Sequence, residues 1–329
     1  MTPKALLTLA RTHETIARWE VQSPSPDAPL EKVLSLHHSS DTLTTTLVFA
    51  NGDVTIVREH GSGESAHIEL VGSMDDGNAA ARWSPDEEIL VVVTNADEIM
   101  FMGRNLDAIA EVKITAEDFK ASKHVSVGWG KKETQFQGRG ARALRDPTIP
   151  EKVDKGVLSS FDDGSTTISW RGDGAYVAVN SIQEGKRRVI RVYNREGVLD
   201  SISEPVDGME GALSWRPSGN LIAGIQRHAD RIEVIFFERN GLRHGQFTLR
   251  SASDRMKLEW NSDSTVLAVI FEDRVQLWTT GNYHWYLKQE VPLSGGVTAW
   301  SWHPEKALRL AAGTSGEYGP MKSSNYLDY

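Results

Sequence analysis

Short apolar strands and polar turns alternate along most of the chain, and one pattern returns several times. It is clearest in ARWSPDEEILVVVT at 81–94, ISWRGDGAYVAVNS at 168–181, LSWRPSGNLIAGIQ at 213–226, LEWNSDSTVLAVIF at 258–271 and WSWHPEKALRLAAG at 300–313. Each segment predicts a strand that ends in Trp, a polar turn, and a second strand of small and branched apolar residues. Such self-similarity indicates a repeat architecture.

The repeat length follows from the spacing of the tryptophans. The interval from Trp83 to Trp170 is 87 residues, about twice the later intervals of 45, 45 and 42 residues. Trp129 divides this interval into 46 and 41 residues, which indicates a further copy of the repeat. The repeated tryptophans are therefore Trp83, Trp129, Trp170, Trp215, Trp260 and Trp302. We interpret them as apolar wedges that pack between neighbouring units, with a ring of ligand-binding aromatic residues as the alternative.

The period predicts the fold class. A repeat of about 40 to 45 residues made of four short strands is typical of β-propeller blades. An earlier copy without Trp occupies 39–57 and contains an Asn-Gly-Asp hairpin turn. We predict an all-β, seven-bladed, WD40-like β-propeller that occupies residues 30–329. The last copy stops after its second strand, so we expect the chain ends to close this blade, with 15–22, in the N-terminal segment 1–29, as the candidate closing strand.

Composition describes an ordinary globular chain. Of its 329 residues, 39% are hydrophobic and 25% are charged. The apolar runs have the length of strands rather than the ~20 residues of a membrane helix, so no membrane association is predicted. The N-terminus lacks a signal-peptide cleavage pattern. The chain has no cysteine, which excludes disulfides and Cys-ligated metals and fits a reducing compartment. The only predicted helix spans 115–122.

No motif in the sequence supports catalysis. The segments at 61–66 and 138–143 fit a loose dinucleotide-binding pattern, but neither lies in a βαβ unit. The adjacent His37 and His38 are expected on opposite faces of a strand, which suits metal chelation poorly. Carboxylate pairs such as Asp162–Asp163 lie in predicted turns, where Asp usually caps its own backbone. We therefore predict no catalytic residue, no cofactor and no metal, and we expect that the protein is not an enzyme.

One basic segment stands out in a chain whose formal net charge is −9. Residues 120–155 contain nine Lys or Arg residues against four Asp or Glu residues. This excess favours contact with RNA phosphates or an acidic protein surface, and a solvated loop of mixed charge is the remaining interpretation. The candidate contact residues are Lys131, Lys132, Arg139, Arg142 and Arg145. A second cluster, 186–188, lies at a predicted hairpin turn, where we expect plain solvation.

Four segments resemble a known family. They are ASKHVSVGWGKKETQFQG at 121–138, FDDGSTTISWRGDGAYVAVNS at 161–181, EGALSWRPSGNLIAGIQ at 210–226 and FFERNGLRHGQFTLR at 236–250. They are similar to the N-terminal propeller of the largest subunit of the Elongator complex, the IKAP family, and most of all to its fungal members. The opening residues, up to about 29, match the family poorly.

The resemblance implies a role rather than a reaction. Elongator modifies wobble uridines in tRNA, and its chemistry belongs to a separate catalytic subunit. The resemblance therefore implies a scaffold propeller that docks other Elongator subunits, including the catalytic one, with direct tRNA contact as the alternative. It also implies a cytoplasmic location, with the nucleus as a second compartment.

The chain is also shorter than the family's plan. The largest subunit of Elongator has a second propeller, a helical-repeat arm, a C-terminal dimerisation region and a basic tail, and this chain contains none of them. We therefore expect either a fragment or the product of an incomplete gene model.

Overall fold

The computed structural model describes the backbone of most of the chain as β-strands and turns. The described residues are 5–11, 14–21, 32–58, 67–116, 118, 154–251, 253–282, 284–293, 297–302 and 310–314. They belong to two compact units, Met1–Ile114 and Thr115–Tyr329. Every regular element in these ranges is a strand, which confirms the all-β prediction. The helix predicted at 115–122 lies largely outside the described residues.

The first unit contains one two-stranded sheet and two four-stranded antiparallel meanders. The two-stranded sheet pairs β1 (Ala5–Arg11) with β2 (Glu14–Val21). The first meander consists of β3 (Val33–Ser39), β4 (Thr44–Phe49), β5 (Asp53–Arg58) and β6 (His67–Ser73). The second consists of β7 (Asn78–Trp83), β8 (Ile89–Thr94), β9 (Glu98–Gly103) and β10 (Ala108–Lys113).

The second unit contains three four-stranded meanders and one two-stranded sheet. The first meander consists of β11 (Thr167–Trp170), β12 (Tyr176–Gln183), β13 (Arg187–Asn194) and β14 (Leu199–Ile202). The next consists of β15 (Met209–Trp215), β16 (Leu221–Arg227), β17 (Ile232–Glu238) and β18 (Arg243–Thr248). The third consists of β19 (Lys257–Trp260), β20 (Val266–Ile270), β21 (Arg274–Gly281) and β22 (His284–Pro292). The two-stranded sheet pairs β23 (Val297–Trp302) with β24 (Leu310–Thr314).

These sheets follow the repeats found in the sequence. The Trp-less copy forms β3 to β6, and its Asn51-Gly52 turn joins β4 to β5 as predicted. Gly52 has a φ of +108°, and a Cβ atom there would lie 2.0 Å from the carbonyl oxygen of Met74, so no other residue fits this turn. The copy that contains Trp129 lies outside the described residues. The candidate closing strand forms β2 and pairs with β1, and its closing role stays a prediction.

Burial changes systematically across each meander. All six residues of β8 and all five of β20 are buried, as expected for strands covered on both faces. The fourth strands β18 and β22 instead alternate between partly buried and exposed residues. The sheet β19 to β22 therefore passes from a fully covered second strand to an outer strand with one solvated face.

Tryptophan side chains fill the contacts between neighbouring sheets of the second unit. Trp215 is 2% exposed and packs in one cluster with Ile190 of β13 and Phe237 of β17. Its backbone N–H donates to Ser169 Oγ of the preceding sheet at 2.8 Å. The same bond recurs one repeat later, from the Trp260 N–H to Ser214 Oγ at 3.1 Å. A large apolar wedge and a hydroxyl acceptor thus join consecutive sheets.

The other repeat tryptophans differ in exposure. Trp170, Trp260 and Trp302 are also buried, whereas Trp83 is only partly buried and lies beside the tilted ring of His37, with 5.5 Å between ring centroids. Trp129 lies outside the described residues. Burial of four indoles supports the packing interpretation of the recurring residue.

Trp215→Ala should lower the free energy of unfolding by about 3 to 5 kcal/mol, because it removes the largest side chain of a sheet-to-sheet cluster. Ser214→Ala should cost only about 1 kcal/mol, since it removes one hydrogen bond. Tyr286→Ala, at a side chain that is 52% exposed, is the control and should change stability by less than about 0.5 kcal/mol. Urea unfolding followed by fluorescence measures all three. Equal losses for Trp215 and Tyr286 would contradict the wedge role.

Candidate partner-binding site

The predicted contact residues Lys131, Lys132, Arg139, Arg142 and Arg145 all lie outside the described residues. Their placement therefore stays a prediction. The structure does describe the residues on both sides of the basic segment. These flanking residues, all in the second unit, show how the segment begins and ends.

On the N-terminal side, Asp118 binds a buried arginine. Arg191, on β13, has a side chain with no exposed surface, and its Nε donates to Asp118 Oδ2 at 3.1 Å. Asp118 also accepts hydrogen bonds from the backbone N–H and hydroxyl of Thr115 at 3.1 and 3.0 Å. Burial raises the pKa of the neighbouring Tyr193 above its usual range, which keeps that phenol neutral. The chain is thus fixed to β13 just before the basic segment.

On the C-terminal side, one carboxylate holds three consecutive residues. Asp207 Oδ1 accepts the backbone N–H groups of Lys155 and Gly156 at 2.8 Å each and of Val157 at 2.9 Å. Three donors that converge on one oxygen form a backbone nest, which favours the charged carboxylate. Gly156 has a φ of +82°, which a side chain would disfavour. The residues that end the basic segment are therefore held in one conformation.

We call residues 154–166, which run from this nest to β11, the anchored loop. A second anchor is the buried Arg188 on β13, whose guanidinium binds both carboxylate oxygens of Asp162 and donates to the carbonyl of Ser165 at 2.7 Å. Arg188 lies against Gly211 of the next sheet, where a Cβ atom would approach Nη2 to 3.1 Å. A side chain at this position would crowd the guanidinium and would also meet Ser165 Oγ, at 2.7 Å from the Cβ atom.

The solvated role predicted for 186–188 is wrong for Arg188, which is 1% exposed. Its neighbour Arg187 is partly exposed, whereas Arg188 points, like Ile190 and Val192, to the face that the sheet β15 to β18 covers. An arginine at such a position must be paired, because an unpaired buried charge is strongly unfavourable. Lys186, by contrast, is 77% exposed at its side chain.

The acidic turn residues have more than a capping role. Asp162 and Asp163 cap the backbone N–H groups of Gly164 and Ser165 at 2.8 and 3.0 Å, as the sequence predicts. Asp163 also lies 3.5 Å from Arg188. Partial burial opposes the charge on Asp163, but hydrogen bonds from Ser165 and the charge of Arg188 outweigh it, so the pKa of Asp163 falls below its ordinary value. Asp163 therefore stays ionised beside the arginine.

A third anchor lies at the middle of the loop. Ser159 Oγ donates to Glu210 Oε1 at 3.0 Å, and the same carboxylate binds Arg227. The Arg227 guanidinium in turn stacks on Phe161, with 4.6 Å between its central carbon and the ring centroid. Phe161 nevertheless remains 51% exposed. The loop thus presents an exposed aromatic ring whose position is fixed by its contact with the Arg227 guanidinium.

Other candidate chemistry is not brought together. His37 lies 3.4 Å from Glu87, and His38 Nδ1 lies 3.0 Å from Thr45 Oγ1, so the two rings have separate partners. Across the residues that the structure describes, no group of three or more His, Asp or Glu side chains is arranged to hold a metal. In the same ranges, no helix is long and apolar enough to cross a membrane.

Several anchoring residues were not found from the sequence. Asp207, Glu210 and Arg227 lie far from the basic segment along the chain, so no local pattern connects them with it. Arg188 had a detectable signal, because it shares one face of β13 with the apolar residues Ile190 and Val192. The acidic pair before β11, the first strand of the same sheet, was its natural partner.

Similarity to solved structures defines the class of protein. One chain in the crystal structure of the mitotic checkpoint complex matches 94% of this chain and 78% of its own length, with a TM-score of 0.62 and 12% identity. The WD40 domain of Toxoplasma gondii coronin matches 94% of this chain and 73% of its own length, with a TM-score of 0.61 and 10% identity. Together with the repeated meanders, these matches confirm the WD40-type β-propeller class. The count of seven blades stays a prediction, as does the division into 1–29 and 30–329.

Sequence comparison then defines the family. The family model described as ELP1 first N-terminal beta-propeller matches residues 4–305. The chain belongs to this family, which confirms the resemblance inferred from the sequence. Elongator complex protein 1 of Schizosaccharomyces pombe is 47% identical over 300 residues, covering 88% of this chain and 24% of that protein.

Two further relatives carry the same name. In Saccharomyces cerevisiae the identity is 46% over 325 residues, covering 87% of this chain and 24% of the relative, and in Mus musculus it is 39% over 298 residues, covering 84% and 22%. The chain thus spans about a quarter of the length of the curated relatives it matches.

Asp162→Ala should lower the free energy of unfolding by about 3 to 5 kcal/mol, because it leaves Arg188 buried without its main counter-charge. Adding Arg188→Met should recover a large part of this loss, since the unpaired charge is then gone. The matched control is Asp173→Ala, which breaks the more exposed Arg171–Asp173 pair and should cost about 1 kcal/mol or less. Urea unfolding compares the variants. A double variant less stable than Asp162→Ala alone would contradict the buried-charge explanation.

Proposed function

We propose that this chain is a non-catalytic scaffold propeller of the Elongator complex, which supports wobble-uridine modification of tRNA by docking partner subunits. The observation that carries the proposal is the match of the family model over residues 4–305. The assignment to the Elongator complex comes from the name of the relatives, Elongator complex protein 1. The catalytic subunit is the partner that we propose for the basic segment.

The structure supports docking by the way in which the basic segment is held. Its flanking residues are bound to Arg191 on one side and to Asp207 on the other. Ala116 and Lys155 line the same pocket, so the chain leaves and returns at one place on the sheet β11 to β14. A loop with fixed, adjacent ends loses less conformational entropy on binding than one with free ends. The basic residues between them are thus suited to a partner surface.

Direct contact with tRNA is the second candidate, and the excess of Lys and Arg over 120–155 favours it. The chain as a whole is acidic, with a formal net charge of −9, so such contact would have to be local. The proposed role in tRNA modification favours the cytoplasm. We therefore propose this location for the chain, with the nucleus as a second one.

Charge reversal at all five predicted contact residues, Lys131, Lys132, Arg139, Arg142 and Arg145, tests the two candidates together. If the segment docks a subunit, the reversed chain should lose most of its co-purification with the catalytic subunit, because five favourable charges become repulsive. Its tRNA binding should not change. If the segment binds tRNA, the wild-type affinity should fall about tenfold or more between about 50 and 200 mM salt, and the reversal should abolish this dependence.

A matched control reverses five other exposed cations: Arg58, Lys113, Arg250, Arg255 and Lys288. This control changes the net charge by the same amount and should leave both co-purification with the catalytic subunit and tRNA binding unchanged. Loss of assembly in the control as well would mean that total charge, not the basic segment, governs association. Unchanged assembly and unchanged tRNA binding in the five-site variant would refute both roles of the segment.

A further inference from the structure

An open pocket of about 320 Å³ lies between the anchored loop and the turn that joins β12 to β13. Among the described residues, three cationic side chains line it, those of Lys155, Lys186 and Arg187, and one carboxylate, that of Glu184. Val157 completes the wall on the side of the loop. The pocket is therefore basic at its rim and apolar on one side, in a chain that is acidic as a whole.

Both walls of the pocket are rigid. The loop side is fixed by the nest around Asp207, which binds the N–H groups of residues 155–157. The other side is the turn of residues 184–186 between β12 and β13, in which Glu184 and Gly185 have φ values of +49° and +65°, and the Lys186 N–H donates to the carbonyl of Gln183 at 2.9 Å. Positive φ at both positions defines a type I′ turn, which fixes the register of the hairpin. A ligand therefore meets a preformed site.

Two groups at the pocket lack a partner within the described structure, namely a buried amide oxygen and an exposed apolar side chain. The side-chain amide oxygen of Gln183, which is buried, has no hydrogen-bond partner among the described residues. Val157 is 60% exposed although its backbone is held firmly. Lys186 pairs with Glu184 at 3.1 Å, but both side chains are more than half exposed, so this pair is weak and can be exchanged for another carboxylate.

We propose that this pocket docks an acidic segment of a partner protein. A carboxylate of that segment binds between Lys155 and Lys186, and an adjacent apolar residue covers Val157. The proposal rests on the scaffold function proposed above and adds the surface and the chemistry of its partner. The basic rim supplies electrostatic complementarity to an acidic segment, and the exposed valine adds an apolar contact.

The charges favour a protein carboxylate over RNA. Binding to nucleic acid rests on many cationic contacts along the phosphate backbone. Among the described residues, three cations line the pocket, which is fewer than the extended series of contacts that a nucleic-acid backbone needs. One or two carboxylates flanked by apolar residues match this pattern better.

Photo-crosslinking in the assembled complex tests the proposal. Replacing Val157 with p-benzoylphenylalanine should give a crosslink to an Asp- or Glu-rich peptide of a partner subunit, identified by mass spectrometry. Adding Lys155→Glu and Lys186→Glu should reduce its yield about tenfold, because two attractive charges become repulsive. Arg250→Glu with Lys288→Glu is the control for charge and should leave the crosslink yield unchanged. The control for position is p-benzoylphenylalanine at Val198, which is 62% exposed and should not capture this peptide.

A synthetic peptide of the captured segment provides the quantitative readout. Its affinity for the wild-type chain, measured by fluorescence anisotropy, should fall about tenfold when its acidic residues are replaced by Asn or Gln. The proposal is overturned if the crosslink falls on RNA or on a neutral or basic peptide, if the reversal leaves it unchanged, or if an assembled complex gives none. Absence of the chain from the complex would refute the scaffold function itself, so the two failures are distinguishable.

Discussion

Burial of both faces of each meander is the constraint on which the second unit depends. A four-stranded sheet with an apolar second strand cannot cover either face alone, so each sheet needs a neighbour. The tryptophan that ends the first strand fills the gap, and the serine before the preceding tryptophan accepts its backbone N–H, as in the pairs Trp215–Ser169 and Trp260–Ser214. In these two cases one repeat supplies the acceptor for the next one, and a missing wedge would weaken two sheets at once.

Charged anchors act where the apolar clusters end. Arg188 and Arg227 lie beside the clusters, and each binds a carboxylate that also holds the anchored loop. Buried ion pairs add little net stability, because desolvation offsets most of the attraction. Their effect here is geometric: an unpaired guanidinium would be so unfavourable that the loop is confined to the conformation that provides Asp162 and Glu210. The apolar clusters hold the sheets together, and the ion pairs fix the loop on them.

The sequence predicts the repeat better than it predicts the anchors. The repeat length, the order of the strands and the Asn51-Gly52 turn can be predicted from local patterns. The alternation of apolar and polar residues and the residue preferences of turns both act over a few residues. The role of Arg188 was misjudged because its position near a turn suggested solvent, whereas its burial depends on Asp162 and on the absence of a side chain at Gly211. Asp207 binds residues about fifty positions earlier, and no local pattern contains that contact.

The same reasoning identifies which part of this propeller is suited to the docking role that we propose. The strands are fully engaged in hydrogen bonds and packing, so variation is tolerated mainly in the connections. A loop between two strands binds a partner tightly only if it is ordered before binding, because ordering it on association would offset much of the favourable binding free energy. Val157 and Phe161 meet this condition, since each is more than half exposed while its loop is held by Asp207, Glu210 and Arg188. Exposure combined with rigidity, rather than charge alone, distinguishes this loop as a contact surface.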